Sequence, residues 1–332
     1  MSILKSKKNV LLAGIIISSI CACKAEKMPD TKIYSPWIAV VSIDSANCNK
    51  DSMTQRMRRI SNFIARAALD KPDLVLLPEA CLSGLGKLRD PESFIKRDDQ
   101  YFNAFKKLAK KYRCHIAAAI LFEMEGKKRN SVLVFDPAGK HIYTYHKSFL
   151  TPSELNAGLI PGAVTQKCWN APWGKTAFAI CFDLNFPELF ENYKKQHAQL
   201  LLFPSYFPGG MVLKQRAFSL RAYAISSHGQ GFESVFIDRV GREFARTNML
   251  EPVITRKIEL NSAVIRFDPA KFKKVKSDYG RNVLVESCRP EGFSVIAVPE
   301  LKIDVRNLMN KYGLVDIDDW YLACKKANEQ KR

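Results

Sequence analysis

The chain has 332 residues, of which 47% are hydrophobic and 11% aromatic, so it can bury a large core in one large domain or two small ones. This composition excludes a protein dominated by low-complexity sequence. The formal charge of +19 favours anionic surfaces such as lipid headgroups. Its lysines are dispersed through helical patterns without a nucleic-acid-binding motif, so we expect no nucleic acid partner.

Residues 1–22 have the pattern of a lipoprotein signal peptide. A segment with three lysines precedes an apolar run over residues 10–20, which is short for a membrane-spanning helix. The small residue Ala22 precedes Cys23 in a segment that resembles a bacterial lipobox, so Cys23 is the expected lipidated N-terminus, carrying an acyl chain such as palmitate. We therefore expect an exported, membrane-anchored lipoprotein of the bacterial cell envelope, on the periplasmic side. Ordinary secretion and an uncleaved anchor are the alternatives.

Beyond a polar tether over residues 24–35, the chain alternates apolar strands with amphipathic helices. A strand is predicted over residues 37–43, and apolar side chains recur at helical spacing over residues 51–69. The continuous apolar run 74–77 is typical of a strand buried on both faces. This order predicts a right-handed βαβ unit, with Glu79 at the carboxyl end of a parallel strand, where ligands tend to bind.

A second helix and a hairpin follow. The helix is predicted over residues 91–113, and the next strand over residues 115–122. Residues 130–135 and 141–145 flank a turn rich in proline and glycine, which predicts two paired strands. Lys147 follows this hairpin directly. A loop over residues 148–163, which contains Glu154, comes next.

Cys181 ends an apolar strand predicted over residues 175–180, and Pro187 then opens a helix. A strand, a sharp turn and a helix lift a side chain out of the sheet. They also direct backbone N–H groups and a helix N-terminus at a bound group, which suits both a thiolate and an oxyanion. A single cysteine after a strand is more often a packed hydrophobe, so the interpretation of Cys181 as a nucleophile depends on partners elsewhere in the chain.

The remaining elements are predicted from the same patterns. They are a strand over residues 200–205, a helix over 210–227, a hairpin over 234–246, a closing strand over 253–260, and a basic tail over 301–332 with one short helix. The two halves of the chain thus have helices, strands and hairpins in similar order, without a repeat in sequence.

Cysteine usage indicates neither a metal nor another cofactor, because no Cys-x-x-Cys pair or His/Cys cluster has zinc spacing. Seven cysteines follow Cys23, an odd number in a compartment that permits disulfides, and Cys181 is the candidate for an unpaired thiol. Cys81 lies two residues from Glu79 and is expected to pack or to form a disulfide.

Glu79, Lys147 and Cys181 each follow the end of a predicted strand. Together they resemble the catalytic residues of the nitrilase, or carbon–nitrogen hydrolase, superfamily, over roughly residues 36–265. The matching segments are Leu77-Pro78-Glu79, Tyr145-His146-Lys147, Cys181-Phe182-Asp183 and Phe186-Pro187-Glu188. Each segment alone is a weak signal, and their common order and placement make the resemblance specific.

The resemblance implies a four-layer α-β-β-α sandwich over residues 36–300 that forms a homodimer. It implies hydrolysis of a small amide, or less commonly a nitrile, through a thioester on Cys181. Glu79 would then transfer protons, and Lys147 would stabilise the oxyanion together with the backbone N–H of Phe182. Further residues are expected to hold the lysine or to shape the substrate pocket: Glu154, Tyr206 and Phe207. His146 and His228 are expected to be structural or pocket residues.

Two positions depart from the superfamily pattern. Asn185 stands where many members have arginine, and Tyr223-Ala224-Ile225 stands where many have an acid–amide pair. These differences caution against inferring a particular substrate. Two alternatives remain for the function: an acyltransferase that uses the same acyl-enzyme, and a binding lipoprotein on a catalytically silent scaffold.

Overall fold

The computed structural model describes residues 35–43, 51–288, 291–299 and 303–332. The predicted signal peptide, the lipidation site Cys23 and nearly all of the tether lie outside these ranges. Within them, no helix combines the length and the apolar character that a membrane crossing requires.

The secondary structure alternates strands and helices, as the sequence predicts. The strands are β1 (Trp37–Val41), β2 (Leu74–Leu76), β3 (Ile95–Lys96), β4 (His115–Met124), β5 (Lys127–Phe135), β6 (His141–His146), β7 (Trp169–Ala171), β8 (Gly174–Phe178), β9 (Leu200–Ser205), β10 (Tyr223–His228), β11 (Val235–Ile237), β12 (Glu243–Arg246), β13 (Val253–Lys257), β14 (Ser262–Arg266), β15 (Leu284–Cys288) and β16 (Phe293–Ala297). The helices are α1 (Met53–Ala67), α2 (Gln100–Tyr112), α3 (Pro152–Asn156), α4 (Pro187–Lys195), α5 (Gly210–Leu220), α6 (Pro269–Tyr279), α7 (Val305–Tyr312) and α8 (Ile317–Glu329).

Two mixed sheets form the centre of the fold. The first has the strand order β13-β1-β2-β4-β5-β6, with β3 beside β4, and its strands β1, β2 and β4 are parallel. The second has the order β12-β11-β10-β9-β8-β7, and its strands β8, β9 and β10 are parallel. Each sheet therefore collects the carboxyl ends of its central strands at one edge, which is where ligand sites form in such sheets.

The alternation of side chains along β1 explains the layers. Ile38 and Val40 point to one face and belong to the core that the two sheets share, together with Phe178 of β8. Ala39 and Val41 point to the other face, where they pack with side chains of α1 and α2. Helices α4 and α5 cover the outer face of the second sheet. The predicted four-layer α-β-β-α sandwich is confirmed.

Helix α2 begins at Gln100, so the prediction of a helix from residue 91 is wrong in its first part. The carboxylate of Asp99 accepts hydrogen bonds from the backbone N–H groups of Tyr101 (2.9 Å) and Phe102 (2.7 Å), which fixes the N-terminus there. Residues 95–96 instead pair with β4 as the short strand β3.

The predicted helix over residues 210–227 is also wrong beyond Leu220. Arg221 adopts a left-handed conformation with φ of 54°, which ends α5. Residues 223–228 then form β10, parallel to β9. Helix propensity in this short segment yields to pairing in the centre of the sheet, so the departure at Tyr223-Ala224-Ile225 affects a strand and not a helix.

The C-terminal part of the chain contributes a small antiparallel sheet in the order β14-β16-β15, with α6, α7 and α8 around it. The sequence predicted one short helix in this region, whereas the structure has α7 and α8. Leu308 of α7 and Ile317 of α8 are both fully buried. Apolar burial of this kind contributes ~1.5–3 kcal/mol per side chain. The division of the chain at residue 300 stays a prediction.

Candidate active site

The three predicted catalytic side chains lie where strands of the two sheets end. Glu79 lies just beyond β2, and Lys147 directly follows β6 in the first sheet. Cys181 begins a short 3-10 turn, Cys181–Asn185, that follows β8 in the second sheet. The site therefore lies between the sheets, at the edge where their central strands end.

The ammonium group of Lys147 is surrounded by two carboxylates. Its Nζ lies 2.9 Å from Glu79 Oε1 and 3.0 Å and 2.9 Å from the Oε1 and Oε2 of Glu154. All three side chains are at most 1% exposed. Burial opposes the charge on Lys147, but the two carboxylates outweigh it and raise its pKa, so the lysine stays protonated with its three N–H donors occupied.

Asn130 holds the two glutamates together. Its Nδ2 donates to Glu79 Oε1 and to Glu154 Oε1, each at 2.8 Å. Glu154 also accepts the backbone N–H of Thr151 at 2.8 Å, within a capping box at the start of α3. Burial raises the pKa of Glu154, but Lys147 and these hydrogen bonds outweigh it and lower the pKa, so Glu154 remains anionic. Sequence reasoning missed Asn130, since a single asparagine in a strand carries no motif.

Cys181 is half-buried and has a left-handed backbone conformation with φ of 46°, which is uncommon for a residue with a β-carbon. Burial and the charge of Glu79 raise the pKa of its thiol to about 12, against the opposing effects of Lys147, the Ser205 hydroxyl and the Tyr206 backbone N–H. The resting thiol is therefore protonated. A carboxylate that can accept its proton lies nearby, because Tyr206 N–H also donates to Glu79 Oε2 at 3.0 Å.

Asp183 ties the cysteine turn to the lysine segment. Its Oδ1 accepts the backbone N–H of Phe149 at 2.7 Å, and its Oδ2 accepts the Tyr145 hydroxyl at 2.7 Å and the Ile180 N–H at 2.8 Å. Burial raises the pKa of this carboxyl group to about 7. The sequence drew attention to Asp183 as part of a motif but gave it no separate role. The three contacts explain why this residue type stands there.

The predicted pocket residues differ in how far they are exposed. Phe182 follows Cys181 and is half-buried, and Tyr206 is nearly buried. The Tyr206 hydroxyl accepts the Leu85 N–H at 3.1 Å, which fixes the ring beside the glutamate. Phe207 is exposed over 57% of its surface.

The other candidates lie in environments that do not suit proton transfer or nucleophilic attack. Burial lowers the pKa of both His146 and His228 to about 4, so both are neutral at pH 7. Burial raises the pKa of the Cys81 thiol to about 12, and this side chain is only 7% exposed. Among the described residues Cys81 has no disulfide partner, and it packs in the core between the first sheet and helices α1 and α2, as expected for a packing residue.

The part of the chain that contains these residues matches a known protein family. Residues 37–229, more than half of the chain, match the carbon–nitrogen hydrolase family. An omega-amidase from Homo sapiens is 24% identical over 271 residues, covering 73% of this chain and 95% of the relative.

Two solved structures illustrate the similarity in fold. Nit3 of Saccharomyces cerevisiae, a member of the nitrilase superfamily, has a TM-score of 0.61 at 20% identity and covers 74% of this chain and 95% of its own. A mutant amidase from Nesterenkonia sp. AN1 has a TM-score of 0.59 at 17% identity, covering 69% of this chain and 92% of its own. Its active-site cysteine carries the acetamide moiety of fluoroacetamide. The sandwich, the site between its sheets and the match over residues 37–229 show that the chain belongs to the carbon–nitrogen hydrolase family.

Proposed function

We propose that the protein hydrolyses a small amide through a thioester acyl-enzyme on Cys181. The observation that carries this proposal is the meeting of a half-buried thiol, a carboxylate and an ammonium group at one site between the sheets. The thiol can attack the amide carbon, the carboxylate can transfer protons, and the ammonium group can stabilise the oxyanion.

In the first step, Glu79 takes the proton of the Cys181 thiol while the sulfur attacks the amide carbon. A C–S bond forms, and the electron pair of the carbonyl double bond moves to its oxygen. The proton neutralises Glu79 and so weakens its attraction for Lys147. The positive charge of Lys147 is then less compensated by Glu79 and can stabilise the oxyanion as it forms. The backbone N–H of Phe182 donates a hydrogen bond to the same oxygen.

In the second step, Glu79 returns the proton to the nitrogen, the C–N bond breaks, and the amine or ammonia leaves a thioester on Cys181. Water then attacks the thioester while Glu79 accepts one of its protons. Collapse of this second tetrahedral intermediate re-forms the carbonyl and breaks the C–S bond, and Glu79 returns its proton to the sulfur, so the acid leaves and the thiol is restored. Glu154 takes no proton in this scheme, since Lys147 and Asn130 stabilise its anionic form, and we assign it the role of positioning the lysine.

Relatives support an amide substrate, because they include omega-amidases and an amidase modified covalently at its active-site cysteine. Transfer of the acyl group to an amine in place of water is the alternative that uses the same intermediate. A silent binding scaffold is less favoured, because buried ionic groups that do not react are costly to maintain.

Intact-mass spectrometry with a mixed library of small amides tests the proposal. We expect an acyl adduct on the parent and on Cys81→Ala, which removes a nearby buried thiol. Cys181→Ala should form none. An adduct of equal yield on Cys181→Ala would refute the role of Cys181, and release of free acid from the trapped adduct would distinguish hydrolysis from acyl transfer.

We also propose that Cys23 anchors the protein to the bacterial cell envelope and that the enzyme is a homodimer. The basic segment, the short apolar run and the lipobox-like Ala22-Cys23 support the anchor, and the family resemblance supports the dimer. Labelled palmitate should be incorporated by the parent and not by Cys23→Ala. After subtraction of the bound detergent, light scattering on the solubilised protein should give twice the mass of the mature chain.

A further inference from the structure

The hydroxyl group of Ser205 lies at the end of the strand that neighbours Cys181. Strands β8 and β9 run parallel with Phe178 opposite Leu202, and the N–H of Ala179 still donates to the Leu202 carbonyl at 3.1 Å. Cys181 and Ser205 each stand three residues beyond that pair. Because neighbouring strands lie about 4.8 Å apart, the two residues come together where the strands end.

This hydroxyl group is fully buried, and its resting partners are both on the backbone of one nearby residue. Its oxygen accepts the N–H of Phe207 at 3.0 Å, and its hydrogen is donated to the Phe207 carbonyl at 2.6 Å. The hydroxyl also interacts with the sulfur of Cys181, where it opposes the burial and the charge of Glu79 that raise the pKa of the thiol. Ser205 thus has one hydrogen and two acceptors within its reach.

The charge on the sulfur determines which acceptor receives that hydrogen. A neutral thiol is a weak acceptor, so the Phe207 carbonyl keeps the hydroxyl hydrogen in the resting enzyme. A hydrogen bond to an ionised acceptor is about twice as strong as one to a neutral group, which favours the sulfur once it is charged. Rotation about the Cβ–Oγ bond of Ser205 then turns the hydrogen to the sulfur, while the oxygen keeps the N–H of Phe207.

Other donors near the sulfur are already engaged by carboxylates. The three N–H groups of Lys147 lie against Glu79 and Glu154 at 2.9–3.0 Å. The backbone N–H of Tyr206 lies 3.0 Å from Glu79 Oε2. The hydroxyl of Ser205 can change its acceptor without any movement of the backbone, so its hydrogen can follow the charge to the sulfur.

We propose that Ser205 is a further catalytic residue, whose hydroxyl group donates a hydrogen bond to the Cys181 sulfur whenever negative charge develops on it. Ser205 keeps its proton throughout, because the thiol proton goes to Glu79 and returns from it. The hydrogen bond is made to the charged sulfur and given up by the neutral thiol, so it stabilises the reacting state more than the resting one. The proposal rests on the proposed amidase function and adds a residue to its mechanism.

Alkylation of Cys181 by iodoacetamide at pH 8, followed by peptide mass spectrometry, tests the proposal without requiring amide turnover. Ser205→Ala removes the donor and should lower the thiolate fraction about tenfold. A more basic thiolate is a better nucleophile, so the alkylation rate should fall only about three- to fourfold. Ser205→Thr keeps the hydroxyl group and should react at close to the parent rate. With a small amide as substrate, kcat should fall about tenfold in Ser205→Ala.

Ser227→Ala is the matched control. Ser227 is as fully buried as Ser205, and its hydroxyl donates to the Val41 carbonyl at the same distance of 2.6 Å, from a strand two places away from β8. This variant should leave the alkylation rate unchanged.

Three results would overturn the role of Ser205: no slowing of alkylation in Ser205→Ala, the same slowing in Ser205→Thr, or the same slowing in Ser227→Ala. A parent that forms no acyl adduct from small amides would overturn the amidase function. The alkylation rates would still decide whether Ser205 stabilises the thiolate, so the two failures can be told apart.

Discussion

Replacing Lys147 by methionine tests the electrostatic account of the site most directly. The substitution keeps a long apolar side chain and removes the ammonium group. It leaves Glu79 and Glu154, each at most 1% exposed, facing each other across the amide of Asn130. In the parent, the two carboxylates share the ammonium group of Lys147, whereas in the variant this positive charge is missing.

The expected cost follows from the contacts that are lost. Both carboxylates lose an ion pair of 2.9 Å in a buried setting, and removal of one partner of a buried pair typically costs ~3–5 kcal/mol. At ~2–4 °C per kcal/mol for a domain of this size class, the midpoint of thermal unfolding should fall by ~6–20 °C.

The direction in which stability changes with pH separates Lys147→Met from the parent more sharply than the size of the loss does. In the parent, the pKa of Glu154 is lowered on folding, so its stabilising contribution is present at neutral pH and is lost as the pH falls through the folded pKa. In Lys147→Met, burial and repulsion between the two carboxylates raise the pKa of Glu154 above its unfolded value. The variant is then most stable in acid and loses stability as the pH rises. The difference between the two proteins should narrow towards pH 5.

Urea unfolding at pH 5 and pH 8 measures both effects. The double variant Lys147→Met/Glu154→Gln is the control, because it removes one of the two unpaired charges and should recover about 2 kcal/mol of the deficit at pH 8. A Lys147→Met variant within ~1 kcal/mol of the parent at pH 8, or a deficit independent of pH, would refute the reasoning.

Three further variants probe neighbouring contacts. Glu79→Gln removes a charge that raises the pKa of Cys181, so iodoacetamide should alkylate the thiol faster at pH 8 while amide turnover falls by ~10²–10⁴-fold; slower alkylation would contradict this. Asp183→Asn turns an amide NH₂ towards a backbone donor and should cost ~2–4 kcal/mol in urea unfolding. Because the pKa of Asp183 is raised to about 7 in the folded state, this group should make the parent less stable as the pH rises from 4 to 7. The variant should lack this pH-dependent loss of stability. Gly84→Ala should cost at least ~1 kcal/mol, since its φ is 69° and a β-carbon would lie 2.9 Å from a tyrosine hydroxyl, whereas Gly86→Ala, with open space around it, should be nearly neutral.

The three catalytic candidates were predictable because each lies next to a sequence pattern that can be recognised locally. Glu79, Lys147 and Cys181 all follow an apolar strand, and strand ends can be recognised from hydrophobic patterns alone. Parallel pairing of β2 with β1 and β4 then brings Glu79 to the expected edge. The fold class followed from the same alternation of strands and helices.

The supporting contacts could not be predicted in the same way. Asn130 acts through side chains 51 and 24 residues away, and nothing in its own segment marks it as buried between two carboxylates. The error over residues 223–228 has a similar origin. Whether that segment continues a helix or enters the sheet depends on its parallel pairing with β9, which is a tertiary contact.

Three hydrogen bonds at the site join one sheet to the other, two from Asp183 to the lysine segment and one from Tyr206 to Glu79. Asp183, in the turn after β8, binds the N–H of Phe149 beyond β6, and the N–H of Tyr206 beyond β9 binds the carboxylate of Glu79 beyond β2. Sliding of one sheet against the other by a fraction of an ångström would therefore separate nucleophile from base while every strand stayed intact. Mild denaturant should abolish turnover before circular dichroism records any loss of secondary structure.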